Sequence, residues 1–204
     1  PRVRRQRQMC LRDRFLGSVA YLDGVKPSAV TIRGYYTRMT ACAYDVIDKK
    51  LVQRWYFDTG NDSSAPGYGD GNHNCMPAEV GVDGKQEIVL GSTCLDDNGK
   101  VLWCLNKGHG DAMHLGDLLP SRDGLELWIC HEDKPYGVSL VDAKNGKIIF
   151  HKDGDSDTGR CCAGNVWAGN DGAEFWGLGY DVYNGSGNAL SCKRPAVKFL
   201  SYWD

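Results

Sequence analysis

This sequence lacks the features that mark a membrane protein, a nucleic-acid-binding protein or a zinc-finger protein. No apolar run approaches the roughly 18 residues that a membrane-spanning helix needs. The formal net charge is −2 with a pI near 6.2, which gives no electrostatic basis for binding nucleic acid. The basic run PRVRRQR at residues 1–7 is short and is interpreted as a solvated end. The sequence therefore predicts neither a membrane nor a nucleic acid as a partner.

The cysteines also exclude more than they indicate. There are nine, an odd number, and no two have the CxxC spacing of a zinc knuckle. Cysteines this scattered in a chain of 204 residues do not form the pattern of a disulfide scaffold. We expect most of the cysteines to be small buried side chains. The cysteines do not indicate whether the protein works in an oxidising or a reducing compartment. No signal peptide is visible, although a trimmed chain would have lost one.

What the sequence does contain is glycine, aromatic residues and a repeated phrase. Glycine accounts for 26 of 204 residues, with 6 Trp and 10 Tyr, and no long amphipathic helix stands out. Glycine-rich turns between aromatic runs indicate an all-β chain. Asp-Gly pairs begin at positions 23, 83, 123 and 171, and each is followed by a β-type run. Three hairpin phrases follow these runs, at 43–57, 94–103 and 139–150.

A unit of three or four strands that recurs every 40 to 60 residues is typical of a β-propeller blade. We therefore predict an all-β fold, a β-propeller with about four blades visible. A β-sandwich whose turns are similar by accident is the alternative. Residues 1–204 are predicted to be one partial propeller domain, with blades from residue 13 and a poorly matching N-terminal end at 1–12. We expect the chain to be a fragment of a larger propeller.

The stretch GHGDAMHLGD, residues 108–117, concentrates metal-ligand side chains between glycines. Loops at one end of propeller blades converge, so distant residues can share one ion. The candidates are His73, His109, Asp111 and Glu132. By donor type alone, two imidazoles and two carboxylates indicate zinc, manganese or iron rather than calcium. The alternative is that these are hydrogen-bonding loop residues.

A second set of acidic residues lies in AEVGVDGKQEI at 78–88, where Glu79, Asp83 and Glu87 alternate with glycines. The pattern is similar to the acidic loops that bind calcium before a strand, but Gly81 and Gln86 stand where such a loop has acids. Either a structural calcium or a polar turn before a strand explains it.

Four segments carry a resemblance to a known family. They are DRFLGSVAYLDGVKPSAVTIRGYYTR, GYGDGNHN, GHGDAMHLGDLLPSRDGLE and TGRCCAGNVWA. In sequence and in order they resemble the rhamnogalacturonan lyases of polysaccharide lyase family 11, from about Asp13 to the last residue. The resemblance implies an eight-bladed propeller, of which this chain would be about a third.

The resemblance also implies a site. Its family pattern places an active-site calcium on His73, His109, Asp111 and Glu132, in place of the metals that donor type favours. It implies that Arg160 contacts a substrate carboxylate, and that Arg33 and Arg38 bind substrate. The implied reaction is β-elimination at the rhamnose-(1→4)-galacturonate bonds of rhamnogalacturonan I, leaving an unsaturated galacturonate end. No residue of this chain is assigned as the general base.

Two other functions stay open at this stage. The chain is a non-catalytic, calcium-stabilised propeller segment that binds pectin or a protein partner, or it belongs to a metal-dependent hydrolase that makes saturated products. A polymeric substrate predicts a secreted, extracellular protein, and we expect the full-length protein to be a monomer. Endo or exo action is not predicted.

Overall fold

The computed structural model describes residues 15–198 as strands, turns and loops, without a helix in that range. The basic run, Cys10 and the predicted N-terminal end at 1–12 lie outside the described residues, as does the chain from residue 199. The all-β prediction is confirmed. A search of the described residues for a helix able to span a membrane finds none. The chain divides into two compact units, which join in sequence between His109 and Gly110.

The first unit consists of two four-stranded antiparallel sheets in which consecutive strands are neighbours. The strands of its first sheet are β1 (Phe15–Ala20), β2 (Ser28–Arg33), β3 (Thr40–Ile47) and β4 (Lys50–Asp58). The strands of its second sheet are β5 (Gly71–Ala78), β6 (Glu87–Gly91), β7 (Thr93–Leu95) and β8 (Val101–Cys104). Each sheet is therefore a simple up-and-down meander.

The second unit repeats this plan with one sheet of four strands and one of three. The first of these sheets contains β9 (Met113–Gly116), β10 (Glu126–Cys130), β11 (Val138–Asp142) and β12 (Lys147–Lys152). The other contains β13 (Cys161–Gly164), β14 (Glu174–Gly177) and β15 (Val182–Tyr183). The repeated unit seen in the sequence thus corresponds to one antiparallel sheet. The propeller itself and its number of blades stay a prediction.

The four Asp-Gly pairs all lie in the connection between the first and second strands of a sheet. Their glycines, Gly24, Gly84, Gly124 and Gly172, have positive φ angles between 74° and 101°. A left-handed backbone of this kind is unfavourable for residues with a Cβ atom. The repeated Asp-Gly is therefore a backbone requirement of the turn that returns the chain into the second strand.

The three predicted hairpins are confirmed as β3–β4, β7–β8 and β11–β12. Gly99 and Gly146 take the positive φ angles that the Asn-Gly turns predict, 79° and 72°. In the first hairpin, Asp48 and Lys49 adopt φ angles of 49° and 63° without a glycine. All three hairpins therefore contain turn residues with the positive φ angles of tight turns.

A buried glutamate opens the second strand in three of the four sheets. Glu87 accepts hydrogen bonds from the amides of Val80 and Gly81 at 2.7 and 2.9 Å. Glu126 accepts from the amides of Leu118 and Leu119, and Glu174 from those of Val166 and Trp167. Each carboxylate satisfies two amides in the connection that the Asp-Gly turn closes, which holds that connection against the sheet.

Each unit has its own apolar core. In the first, β2 buries alternate residues, and Val30 and Ile32 pack with Ile88, Leu90 and Leu95 of the second sheet. At the edge of this core the indole nitrogen of Trp55 donates to the carbonyl of Asp97 at 2.8 Å. In the second unit a cluster of aromatic side chains from three strands lies at the centre, consisting of Trp128, Phe150 and Phe175.

Gly99 should be more sensitive to substitution than its backbone angle alone requires. A Cβ at position 99 would lie 2.6 Å from the Trp55 ring, whereas a Cβ at Gly84, with a similar φ, meets nothing within 4 Å. We expect Gly84→Ala to lower the free energy of unfolding by about 1 kcal/mol from backbone strain. Gly99→Ala should lower it by about 2 kcal/mol more, because the ring must move. Urea unfolding of both variants measures the difference, and equal losses would contradict the contact.

The buried glutamate of the third sheet should make stability depend on pH. Burial raises the pKa of Glu126 above its ordinary value of 4.5, and the two amide hydrogen bonds oppose this only in part. Because the folded state then holds the proton to a higher pH than the unfolded chain does, this contribution is fully present below about pH 4.5 and is lost as pH rises through the folded pKa.

Glu126→Gln should remove that contribution while keeping an oxygen that accepts both amides. The free energy of unfolding, measured by urea titration from pH 4 to pH 8, should therefore fall less with pH in the variant. Asp123→Asn, at an exposed position of the neighbouring turn, is the control. A pH dependence as steep in Glu126→Gln as in the parent chain would show the explanation to be wrong.

Candidate metal centre and active site

His73 is carried by an irregular part of β5. The pairing of β5 with β6 changes register between Gly71, opposite Gly91, and Met76, opposite Val89. The residues between them bulge out of the ladder, which redirects the side chains that they carry. His73 lies in this bulge and is half-buried.

His109 is carried by the loop that follows β8, and its side chain is 1% exposed. Gly108, directly before it, has a φ of 70°, and Asn106 also adopts a positive φ. The ring of His109 is anchored to β5, because its Nδ1 lies 2.7 Å from the carbonyl oxygen of Gly71. Gly108, the first glycine of GHGD, therefore turns the loop so that the imidazole of His109 points back at the strand that carries His73.

The two imidazoles face one another through their outer nitrogens. His109 Nε2 lies 3.3 Å from His73 Nε2, and the two rings are nearly perpendicular. Since a carbonyl oxygen only accepts hydrogen bonds, Nδ1 of His109 carries a proton, and in the neutral form of the ring Nε2 carries the lone pair. This imidazole arrangement, with Nδ1–H held by a carbonyl and Nε2 directed outward, is the usual one for a histidine that ligates a metal.

Two tyrosines of the β2–β3 connection pack on these rings. The Tyr35 ring centroid lies 5.2 Å from that of His73, and the Tyr36 centroid lies 4.3 Å from that of His109. Tyr35 is buried and Tyr36 is 41% exposed. Both tyrosines lie between Arg33 and Arg38 in the sequence, and they are the residues of this connection that contact the histidines.

In the second unit, Asp111 and Glu132 lie at the same end of one sheet. Asp111 precedes β9 and Glu132 follows β10, and these strands pair antiparallel with Met113 opposite Ile129. The amide of Cys130 continues the ladder by donating to the carbonyl of Ala112 at 3.2 Å. Register therefore places the backbone of Asp111 and of Glu132 at the same end of this sheet, and Asp111 also follows His109 by two residues in the sequence. Among residues 15–198, Glu132 belongs to no group of three or more metal-ligand side chains. Within the first unit, His73 and His109 are candidate metal ligands whose ring nitrogens lie close together.

Arg160 lies at this edge as well, directly before β13. Its Nη1 is 3.8 Å from Oδ2 of Asp111 and also donates to the carbonyl of Gly159. The side chain is 55% exposed, so the guanidinium is accessible to a ligand. A Cβ at position 159 would lie 3.3 Å from Oδ2 of Asp111, a close contact that a small movement of this carboxylate would relieve.

Arg33 and Arg38 have different surroundings. Arg33, the last residue of β2, places its guanidinium 5.5 Å from the centre of the Phe15 ring. Arg38 forms a two-point ion pair with Asp58, at 2.8 and 2.5 Å. This pairing lowers the pKa of Asp58 well below its usual range and raises that of Arg38. The charge of Arg38 is thus balanced within the first unit, whereas that of Arg33 faces an aromatic ring.

The acids of the 79–87 loop have protein partners. Glu87 holds the amides of Val80 and Gly81, as the equivalent glutamates do in two other sheets. Glu79 accepts from the amide of Gly84, and Asp83 from that of Lys85. Within residues 15–198 these three side chains do not form a group of metal-ligand atoms. Their spacing has a structural explanation in the Asp-Gly turn, and a calcium ion in this loop stays a prediction.

A chain of hydrogen bonds in the third sheet has the composition of a serine hydrolase triad. Ser139 Oγ lies 3.0 Å from His151 Nδ1, and His151 Nε2 lies 2.9 Å from Asp153. Ser139 is completely buried, and its hydroxyl also contacts His131 Nε2 at 3.0 Å. Because the hydroxyl is inaccessible to a substrate, we interpret this series of hydrogen bonds as part of the packing of the sheet and not as a nucleophile site.

Asp70 is a residue of the site that sequence reasoning missed. It directly precedes β5 in the stretch GYGDGNH and is 2% exposed. Its carboxylate accepts hydrogen bonds from the amide of Gly108 and from the thiol of Cys104. The only signal in the sequence was its position three residues before His73, since nothing distinguishes a buried loop aspartate from an exposed one.

With this geometry established, comparisons with known proteins identify the class and then the family. The model of the C-terminal domain of rhamnogalacturonan lyase family 11 matches residues 10–204. The chain belongs to this family. The chain is 42% identical over 203 residues to the rhamnogalacturonan exolyase YesX of Bacillus subtilis, and 40% identical over 195 residues to the endolyase YesW of the same organism. These matches cover 94% of this chain but 33% and 31% of the relatives, so the chain spans about a third of their length.

Solved structures agree. The rhamnogalacturonan lyase YesW superposes with a TM-score of 0.80 at 42% identity, over 86% of this chain and 30% of that one. A rhamnogalacturonan lyase of Bacillus licheniformis gives a TM-score of 0.81 at 46% identity, over 88% and 31%. The resemblance inferred from the four sequence segments is confirmed.

Proposed function

We propose that the protein containing this chain is a calcium-dependent rhamnogalacturonan lyase, acting by β-elimination on rhamnose-(1→4)-galacturonate bonds of rhamnogalacturonan I. The observation that carries this proposal is the imidazole pair of His73 and His109, preset for one cation by the hydrogen bond from His109 to Gly71, in a chain of this lyase family. Because the chain spans about a third of its relatives, the activity is proposed for the full-length protein.

His73, His109, Asp111 and Glu132 are proposed as the ligands of one calcium ion. The two carboxylates supply the oxygen donors that calcium prefers, while the imidazoles suit transition metals better. The family resemblance favours calcium, and the donor set fits a divalent cation in either case. When bound, the ion would neutralise the C6 carboxylate of galacturonate and so make the C5 proton more acidic.

The chain's own residues would hold and orient the substrate. Arg160 is proposed to bind a substrate carboxylate, since its planar guanidinium is exposed and lies close to Asp111, a proposed metal ligand. Tyr36 presents a partly exposed ring beside His109, a surface on which a sugar ring could stack. Arg33 and Arg38 are weaker candidates for substrate contact, because Arg38 is already paired with Asp58.

The proposed elimination needs no water. A base removes the C5 proton, the electron pair forms the double bond between C4 and C5, and the bond from C4 to the rhamnose oxygen breaks. No residue of this chain is assigned as that base. The relatives include one exolyase and one endolyase at similar identity, so similarity does not select between the two modes. Because the polymer cannot enter a cell, we propose an extracellular location.

The direct test follows the ultraviolet absorbance of the unsaturated uronate when the full-length protein is incubated with rhamnogalacturonan I. We expect absorbance to rise with calcium and to stop when a chelator is added. Saturated products would indicate a hydrolase, and calcium binding without products a non-catalytic binding protein. A rise that the chelator leaves unchanged would contradict the calcium proposal alone.

Glu132→Ala should reduce the lyase rate by roughly 100-fold or more at limiting calcium, because it removes a proposed ligand. The neighbouring substitution Asp133→Ala, at the exposed next position of the same turn, is the matched control and should leave the rate nearly unchanged. Rates and calcium affinity are measured together. Equal rates and affinities in the two variants would remove Glu132 from the site.

A further inference from the structure

A buried carboxylate connects the two segments that carry the histidines. Asp70 is the residue directly before β5, three positions before His73, and only 2% of it is exposed. Its partners all come from the other side of the same sheet. They belong to β7, to β8 and to the loop that continues from β8 to His109.

The hydrogen bonds divide between the two carboxylate oxygens. Oδ1 accepts from the amide of Gly108 at 2.8 Å. Oδ2 accepts from the thiol of Cys104 at 2.8 Å and from the hydroxyl of Thr93 at 3.3 Å. Burial raises the pKa of Asp70, and these donors oppose that effect. Burial, and then the bond to Asp70, raise the pKa of the Cys104 thiol, which keeps it protonated as a donor at neutral pH.

The bond to Gly108 is one of several that fix the loop against β5. One residue further along both segments, His109 Nδ1 donates to the carbonyl of Gly71 at 2.7 Å. On the other side of the loop, the hydroxyl of Ser92 donates to the carbonyl of Gly108 at 3.1 Å, and the backbone carbonyl of Ser92 accepts from the amide of Leu105 at 2.7 Å. Asp70 is the charged member of this set, and charged acceptors make the stronger hydrogen bonds.

We propose that Asp70 is a positioning residue, which fixes the loop of residues 105–109 against β5 and thereby sets the spacing of the His73 and His109 Nε2 atoms. Its role in activity rests on the proposed metal centre. It touches neither imidazole in the described contacts and acts through Gly108 and Gly71. Substitution of Asp70 should lower the affinity for metal. Asp70 itself would not take part in the chemical step.

Asp70→Asn is the sharpest substitution, because it preserves size and one acceptor oxygen. Its amide nitrogen cannot accept, and the charge on the acceptor is lost. With the remaining oxygen on the Gly108 amide, the nitrogen faces Thr93 and the Cys104 sulfur, which is a weak acceptor, so the hold on the loop weakens. Cys104→Ser keeps a donor to Oδ2, while Cys104→Ala removes one and leaves the Gly108 bond. Asp62→Asn, in the connection between β4 and β5, is the matched control, since Asp62 is exposed and caps only Ser64.

The first readout is independent of metal and of activity. Nitrogen NMR of the histidine rings should show His109 with its proton on Nδ1, slowly exchanging, in the parent chain and in Asp62→Asn. In Asp70→Asn the His109 signals should shift and the Nδ1 proton should exchange faster. If circular dichroism shows that Asp70→Asn is unfolded, Cys104→Ala carries the test, with a smaller shift in the same direction and restoration in Cys104→Ser.

The second readout is metal affinity, measured by calorimetry with calcium and, in parallel, with manganese. Asp70→Asn should weaken binding by roughly 10- to 100-fold, as loss of an outer-shell partner does. In the full-length protein, kcat at saturating metal should be nearly restored. Unchanged histidine signals in a folded Asp70→Asn would overturn the positioning role. Absence of metal binding by the parent protein would remove the proposed metal centre, while the NMR comparison would still decide the role of Asp70.

Discussion

Carboxylates buried against backbone amides determine how this chain organises its connections. Glu87, Glu126 and Glu174 each hold two successive amides of the segment that leads into the second strand of a sheet. An amide without a partner in such a place costs about 1–3 kcal/mol, so these side chains allow long connections to pack closely against the sheets. The Asp-Gly turn supplies the left-handed residue and the glutamate supplies the acceptor. Together they define the repeat more sharply than apolar periodicity does.

The same device appears where function is expected. Asp70 holds the amide of Gly108 much as the glutamates hold theirs, but the loop that it fixes carries His109. At the candidate site, a buried carboxylate that accepts from a loop amide would therefore help to orient an imidazole, as we propose for Asp70. The irregular pairing of β5 complements it, since a regular strand would have placed His73 on a fixed face of the sheet.

The sequence predicted what local chemistry determines. Positive φ angles select Asn, Asp and Gly, so the three hairpins and the Asp-Gly turns were visible in the sequence and the all-β class followed. Contacts between residues far apart in sequence were not visible. The pairing of Arg38 with Asp58, the packing of Tyr36 on His109 and the donors of Asp70 join segments 20 to 73 residues apart. The acids of the 79–87 loop show why spacing alone leaves two interpretations open, since alternation of acids and glycines has the same appearance in a calcium loop and in a turn closed by Glu87.

The metal-ligand candidates illustrate why resemblance added more than composition. Donor type alone favoured a transition metal and could not separate ligands from loop histidines. The geometry helps to separate ligands from loop histidines, because the hydrogen bond to Gly71 fixes the Nδ1 proton of His109 and its Nε2 faces His73. In the second unit, strand register places the backbone of Asp111 and of Glu132 at the same end of one sheet. In the first unit, the ring of His109 is thus held in place by its own hydrogen bond. Ligands that are ordered before binding lose little conformational entropy when a cation arrives, which is the condition for a site that holds a hard ion with mixed donors.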